Sequence, residues 1–177
     1  GGPAAAHPGH GTASLGEGLA HPLSGLDHLL AMVAVGLWAA QLGGRARWVV
    51  PGAFVSAMAM GWGLGTLGIP IPAVEQGIVA SVLVLGLMIA IAARPPIGVP
   101  VAMVAAFALF HGHAHGTEAA PGGSALAYAL GFTSATVFLH LAGIGLGQAL
   151  QTAKRTRPWL RLAGGGVALA GLVMAIS

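Results

Sequence analysis

The sequence predicts an all-α membrane protein with six transmembrane helices and with both termini outside the cytoplasm, in the periplasm. Of its 177 residues, 56% are hydrophobic and 6% are charged, whereas about 25% of the residues of a typical soluble domain are charged. Apolar runs of about 20 residues, each long enough to cross a hydrocarbon core of about 30 Å as a helix, recur along the chain. The composition favours a protein whose partner is the lipid bilayer, and its small net charge of +3 gives no reason to expect nucleic acid binding.

Breaks rich in glycine, proline and arginine separate the six apolar segments. Gly43 and Gly44 end the first segment, and Pro95 and Pro96 stop the third because proline cannot continue a helix. The predicted helices span residues 22–42, 48–68, 73–93, 97–115, 124–151 and 159–176. Together they form a single six-helix transmembrane domain over residues 17–177.

The positive charges predict the orientation of these helices. All seven Lys and Arg residues follow the first, third or fifth segment, and short cytoplasmic loops carry such an excess. They are Arg45, Arg47, Arg94, Lys154, Arg155, Arg157 and Arg161. The opposite side carries Glu17, Glu75 and Glu118, and Trp38, Trp48 and Trp159 are predicted to form an aromatic belt at the cytoplasmic interface. This pattern predicts a multi-pass protein of the bacterial inner membrane.

Residues 1–16 are predicted to form a flexible periplasmic tail that contains His7 and His10. Ala4, Ala5 and Ala6 resemble the small-residue cleavage site of a secretory signal peptide, so we expect that a leader has been removed. A tail that is not native is the alternative.

Small residues four positions apart predict close helix packing. Gly61 and Gly65, and again Gly143 and Gly147, would let helix backbones approach each other in lipid. The chain has no phosphate-binding loop, so it does not encode nucleotide hydrolysis, and no ATPase subunit is evident. The first and fourth segments open two halves of opposite topology, an arrangement that fits an inverted repeat.

Histidines and carboxylates from two distant stretches are predicted to meet at the outer side of the membrane. The first segment carries His21, Asp27 and His28, and the end of the fourth carries His111, His115 and Glu118. Polar groups in apolar spans indicate a functional site. Because cysteine is absent, imidazole and carboxylate would hold any metal ion. This donor set suits Ni, Co, Zn, Cu(II) or Fe and does not choose among them.

Helical spacing refines the predicted metal site. His111 and His115 lie four residues apart and share a helix face, whereas His113 points away. His21 and His28 would be about 10 Å apart in a regular helix. We therefore expect His21 to belong to an entrance site and His28 to a deeper one, unless the stretch from Pro22 to Gly25 is unwound. Asp27 is either a direct ligand or an acceptor that fixes a histidine tautomer.

Five further residues are secondary candidates for metal binding. A lone histidine in the middle of a membrane helix is more often a packing residue than a metal ligand, and His140 fits this description best. They are His7, His10, His113, Glu75 and His140.

Both histidine stretches resemble the signatures of the HupE/UreJ family of small nickel/cobalt permeases. The first signature, a histidine followed after five residues by Asp-His, appears as His21 with Asp27-His28. The second appears as Phe110-His111-Gly112-His113-Ala114-His115-Gly116-Thr117-Glu118. The resemblance extends over the six-helix body and implies uptake of Ni²⁺ or Co²⁺ as the transported ion. It also implies a functional set of His21, Asp27, His28, His111, His115 and Glu118.

The same histidines and carboxylates are also compatible with functions other than metal uptake. An intramembrane zinc hydrolase would need a metal-activated water, with Ser134 and His140 or Glu118 as its base, but the chain has no His-Glu-x-x-His motif. A copper or other transporter with the same site, a metal sensor or buffer, and a bis-histidine haem protein are further alternatives. We expect a transporter that is not an enzyme and has no organic cofactor. The sequence leaves the oligomeric state open.

Overall fold

The computed structural model describes residues 14–118, 124–152 and 157–176, and all the regular structure among them is helical. Six of its seven helices match the predicted segments to within a few residues, and an additional short helix precedes them. The helices are α1 Leu15–Ser24, α2 Leu26–Leu42, α3 Ala46–Thr66, α4 Val74–Ala90, α5 Gly98–Thr117, α6 Ala125–Ala149 and α7 Arg157–Ile176.

Helix α1 begins at a capping box and ends at a sharp bend. The Ser14 hydroxyl accepts from the Glu17 amide (3.2 Å), and the Glu17 carboxylate accepts from the Ser14 amide (3.0 Å), a reciprocal pair that stabilises a helix start. Gly25 then adopts an extended conformation (φ −91°, ψ 116°), and α2 leaves at 85° to α1. The prediction of one regular helix from Pro22 was therefore wrong, and the helix start at Leu15 lies within the stretch predicted to be a flexible tail.

Three of the described helices are long and apolar enough to cross a membrane, namely α3, α6 and Pro158–Ile176 within α7. The bent pair of α1 and α2 qualifies as a fourth span. Helix α4 is apolar but has 17 residues, and the three histidines of α5 lower its hydropathy. These properties make the chain a membrane protein.

Trp38 is buried in the core and does not belong to an interfacial belt. Its side chain is fully inaccessible, and its indole Nε1 donates to the carbonyl of Ala93 (3.1 Å). The prediction for Trp38 was wrong because its position near a helix end does not reveal that α2 is surrounded by other helices. Trp48 and Trp159 are exposed, at 61% and 60%, as residues of a belt would be.

Glycines bring the helices together in pairs, as their spacing predicted. A Cβ on Gly61 would strike the backbone of Leu109, so α3 and α5 are in backbone contact. A Cβ on Gly143 would strike the backbone of Val33, which puts α6 in the same relation to α2. Close approach of this kind stabilises helix pairs in lipid.

These contacts repeat in the two halves of the bundle, α2 to α4 and α5 to α7. Gly112 of α5 packs on the carbonyl of Met58 in α3, and Gly36 of α2 packs on the carbonyl of His140 in α6. Exchanging the halves also maps the contact between α4 and α7 onto itself. Along these contacts α3 runs parallel to α5 and α2 runs parallel to α6, so corresponding helices of the two halves point in opposite directions. The α3–α5 and α2–α6 pairs thus pack alike, as they would in an inverted repeat, but α2 also packs on α3 and α4, whereas the backbone of α5 makes little or no close approach to α6 and α7 among the described residues.

The two ends of the bundle carry different polar groups. At one end the last carbonyls of α4 accept hydrogen bonds, that of Ile89 from Gln41 Nε2 (3.1 Å) and that of Ala90 from Arg161 Nε (2.8 Å). The histidines of α1, α2 and the end of α5 lie at the opposite end. Because α2 and α5 run in opposite directions, the first residues of α2 and the last residues of α5 lie at the same end of the bundle. Their histidines therefore lie close together.

Candidate metal centre

Three helices contribute imidazoles to one compact group. One ligating nitrogen from each of His21 in α1, His28 in α2 and His115 in α5 lies within 4.8 Å of the other two. Four nitrogens around a tetrahedral ion at about 2.1 Å would be about 3.4 Å apart, so small side-chain movements would let all three reach one ion. Of the two arrangements considered for His21 and His28, the structure therefore has the one in which the helix is interrupted.

The bend at Gly25 explains this proximity. The ring centroids of His21 and His28 are 5.9 Å apart, and His115 lies 4.8 Å from the first and 5.0 Å from the second. The expected separation of about 10 Å assumed a continuous helix. At these separations His21 and His28 can contribute to one ion site, so the geometry does not require two separate stations.

Asp27 holds the imidazole of His28 in a defined state. Its Oδ1 accepts from the His28 backbone amide (2.8 Å) and lies 3.0 Å from His28 Nδ1. Because a carboxylate only accepts, Nδ1 carries the proton, and the buried Nε2 has a free lone pair and no partner. Of the two roles considered for Asp27, this contact is that of the acceptor that fixes a tautomer.

His111 extends the group towards the interior. Its ring is fully buried and lies 4.8 Å from that of His28. His111 Nε2 lies 3.1 Å from the hydroxyl of Ser81 in α4, whereas its Nδ1 is buried without a partner. We call His21, His28, His111 and His115 the histidine cluster.

Glu118 forms the exposed rim of the histidine cluster. Its Oε2 lies 3.0 Å from His21 Nε2, and the two side chains are 51% and 33% exposed. His115, in contrast, is fully buried and has no hydrogen-bond partner on either ring nitrogen. The cluster therefore grades from a solvated ion pair to dry imidazoles.

Aromatic side chains that were not predicted from the sequence surround the cluster. Phe132 of α6 stacks on His115 with a centroid distance of 4.5 Å, and Tyr128 lies 6.2 Å from His21. Phe54 of α3 packs against His111 at 5.6 Å. Tyr128 and Phe132 are four residues apart on α6, and this spacing could have identified a shared aromatic face.

The three secondary candidates among the described residues, His113, Glu75 and His140, do not join the cluster. His113 Nε2 is hydrogen-bonded to the carbonyl of Ile69 (2.9 Å), so it links α5 to the loop after α3. Glu75 lines a separate cavity between α4 and α7. His140 packs edge-on against Phe54 at 5.1 Å, and both its ring nitrogens are buried without a partner. His7 and His10 lie outside the described residues.

The pairing of Ser134 with His140 that a hydrolase would require is not formed. The Ser134 hydroxyl donates to the carbonyl of Leu130 (2.7 Å) and is exposed. The structure does not support this alternative, because the two residues share a helix but not a face. They lie six residues apart, which at about 100° per residue separates their side chains by about 120° around α6.

The donors of the cluster fit a borderline divalent transition metal. Imidazole nitrogens with nearby carboxylates bind Ni²⁺, Co²⁺, Zn²⁺ and Cu²⁺, whereas soft Cu⁺ prefers thiolate and thioether sulfur. The fully buried thioether of Met58 accepts a hydrogen bond from the Thr136 hydroxyl (3.7 Å). The cluster therefore offers nitrogen and oxygen ligands alone.

Comparisons with known proteins agree with the architecture and the motifs. The family model described as HupE / UreJ protein matches residues 1–174. The chain is 50% identical over 159 residues to Protein HupE of Rhizobium leguminosarum bv. viciae, which covers 90% of this chain and 83% of that protein. No solved structure matches the chain. The match over nearly the whole length shows that the chain belongs to the HupE/UreJ family.

Proposed function

We propose that the chain is a permease that takes up Ni²⁺ or Co²⁺ across the bacterial inner membrane. The observation that carries this proposal is the convergence of three imidazoles, from three different helices, at one end of an apolar bundle. The chain also belongs to the HupE/UreJ family, and its resemblance to that family implies nickel or cobalt uptake, which supports the proposal. A transported ion is the substrate here, and the chain acts as a transporter without enzymatic activity.

The functional set comprises the four histidines of the cluster as ligands, Asp27 as the outer partner of His28, and Glu118 beside His21 at the rim. His21 and Glu118 receive the ion at the exposed rim, where water is still available. His28, held by Asp27, and His115 replace water ligands with imidazole nitrogens. His28 also contacts His111, so the ion can move inward while it keeps one ligand.

Six transmembrane segments with both termini in the periplasm orient this site. Arg45, Arg47, Arg94 and Arg161 lie at the end of the bundle opposite the histidine cluster. Because short cytoplasmic loops collect positive charge, that end is cytoplasmic and the cluster opens to the periplasm. A divalent cation would then be drawn inward by the membrane potential, and proton coupling through the histidines is the alternative energy source.

Metal flux into proteoliposomes tests this function. Ni²⁺ and Co²⁺ should enter vesicles that contain the intact protein, and His28→Ala should abolish the influx. His113→Ala is the matched control, because its imidazole is already engaged with the Ile69 carbonyl. Parallel assays with Zn²⁺ and Cu²⁺ identify the preferred ion. Absence of any influx through the intact protein would overturn the proposal, and influx of Cu²⁺ or Zn²⁺ alone would replace the proposed substrates.

A further inference from the structure

A buried hydroxyl on α4 interacts with the histidine cluster and has no role in the site described so far. Ser81 is fully inaccessible and lies between Ala80 and Val82 in an otherwise apolar stretch of helix. Buried polar groups in proteins are almost always hydrogen-bonded. The partners of Ser81 therefore show what the hydroxyl does.

The hydroxyl has two close partners and one proton to share between them. Its Oγ lies 2.6 Å from the carbonyl oxygen of Ile78 and 3.1 Å from Nε2 of His111. A carbonyl oxygen cannot donate, so the short contact with Ile78 requires the hydroxyl proton. The Ser81 oxygen must then accept a hydrogen bond from His111, and His111 Nε2 must carry a proton.

This accounting determines the tautomer of His111. A neutral imidazole has one N–H, so protonation of Nε2 leaves a lone pair on Nδ1. Nδ1 is buried and has no hydrogen-bond partner, while the ring lies 4.8 Å from that of His28. The nitrogen left free is the one that can bind a metal ion.

We propose that Ser81 is a positioning residue that fixes His111 as an Nδ1 metal ligand. The proposal rests on the proposed function, since it assigns a role to a residue around the same substrate site. Ser81 acts on His111 as Asp27 acts on His28, through the ring nitrogen that does not bind the ion. Outer partners of this kind orient the ligand and fix its tautomer. The two histidines would then bind through opposite nitrogens, His28 through Nε2 and His111 through Nδ1.

Three variants separate this role from a contribution to packing. Ser81→Ala removes the acceptor, and Ser81→Thr keeps a hydroxyl that can make the same bond to the preceding turn. Ser134→Ala is the matched control, because the Ser134 hydroxyl makes an equivalent bond within its helix (2.7 Å) and contacts no histidine. We expect Ser81→Ala to weaken equilibrium Ni²⁺ binding by about 10- to 100-fold, as loss of an outer partner typically does. Ser81→Thr should restore most of the affinity, and Ser134→Ala should bind as the unsubstituted protein does.

The tautomer itself is a second and independent measurement. Nitrogen-15 NMR of the metal-free protein with labelled histidine distinguishes the two neutral forms, and the His111 signals can be assigned by their loss in His111→Phe. We expect the Nε2–H form in the unsubstituted protein and a mixture of forms in Ser81→Ala. The Nδ1–H form in the unsubstituted protein would overturn the proposal, as would unchanged Ni²⁺ affinity in Ser81→Ala.

This measurement also distinguishes failure of the inference from failure of the proposed function. If the intact protein transports neither Ni²⁺ nor Co²⁺, the permease proposal fails, whereas the NMR experiment still tests the Ser81 contact without any metal. If the intact protein transports Ni²⁺ and Ser81→Ala does so with unchanged affinity, only the role of Ser81 fails. A Ser81→Ala protein that does not fold leaves the tautomer of the unsubstituted protein as the deciding result.

Discussion

Two helix pairs of the bundle, α3 with α5 and α2 with α6, share their packing and differ in their chemistry. Gly36 in α2 and Gly112 in α5 both press a helix backbone against a carbonyl of the neighbouring helix, of His140 in one half and of Met58 in the other. The contacts along the two helix pairs correspond one to one. The packing of these two helix pairs is therefore determined by backbone shape, which both pairs reproduce.

The proposed metal ligands break this correspondence. On the register set by those glycines, His111 and His115 of α5 correspond to Val35 and Ala39 of α2, both fully buried. His28 of α2 corresponds to Val104 of α5. His28 thus lies near the start of α2, whereas His111 and His115 lie near the end of α5. Because the two helices run in opposite directions, these histidines lie at the same end of the bundle. The helix packing therefore brings these positions together in space, and the histidines at a few of them provide the candidate metal site.

Of the variants considered, His115→Ala should cause the largest loss of Ni²⁺ affinity. The change makes α5 resemble α2, where Ala39 is accommodated in the core, so the helix should still pack. Removal of a ligand should weaken Ni²⁺ binding by at least about 100-fold, since loss of an outer partner alone typically costs up to that amount. Competition with a metal-sensitive dye measures the affinity. Binding as tight as that of the unsubstituted protein would remove His115 from the ligand set.

Asp27→Asn should produce the next largest effect. The amide oxygen can still accept from His28, but the charge that favours the Nδ1–H form is lost, so Ni²⁺ affinity should fall by about 10- to 100-fold. Glu17→Gln is the control, because glutamine preserves the capping box at the start of α1. The same dye competition applies to both variants. An equal loss in Glu17→Gln would indicate a general effect of negative charge.

Gly36→Ala and Gly112→Ala test whether the two halves are equivalent in packing. Each added methyl group meets a backbone carbonyl, and overpacking of this kind typically costs about 1–3 kcal/mol. Unfolding in detergent should show similar losses for both, whereas Gly112→Ala alone should also weaken Ni²⁺ binding because it follows His111. Gly52→Ala, where a Cβ meets no atom within 4 Å, should cause no loss of stability, because alanine is the better helix former. Dissimilar losses would contradict the repeat.

Glu118→Gln should have the smallest effect. Its contact with His21 lies at the rim, and an exposed ion pair contributes at most about 1 kcal/mol, or about fivefold in affinity. The loss should shrink as the salt concentration rises. Isothermal titration with Ni²⁺ at two ionic strengths measures it. A loss as large as that in His115→Ala would make Glu118 a direct ligand.

The sequence was sufficient to predict six of the seven described helices and the residues that lie near one another. Pro95 and Pro96 end a helix whatever surrounds that helix. If the predicted spans alternate in direction, His28 and His115 lie on the same side of the membrane however the helices pack. Both arguments depend on local sequence and on the bilayer. For this reason the helices and the grouping of the six candidate residues did not require knowledge of side-chain contacts.

The remaining features depend on tertiary contacts that a sequence does not show. The bend at Gly25 accompanies the packing of α1 on α6, where Gly18 and Gly131 bring the backbones together. The contact of Ser81 with His111 joins residues 30 positions apart. A lone serine in an apolar helix was a visible signal, but it did not identify the partner. Burial of Trp38 likewise depends on which helices surround α2.

The break at Gly25 places the control of coordination geometry in the backbone. His21 and His28 lie on either side of it, so the φ and ψ angles of one residue set the distance between two ligands. A Cβ at Gly25 would come within 2.9 Å of Asp27 Oδ1 and 3.4 Å of His28 Nδ1. Divalent ions with similar affinities for imidazole differ in the geometry that they prefer. Discrimination among such ions can therefore evolve at a residue that donates no ligand.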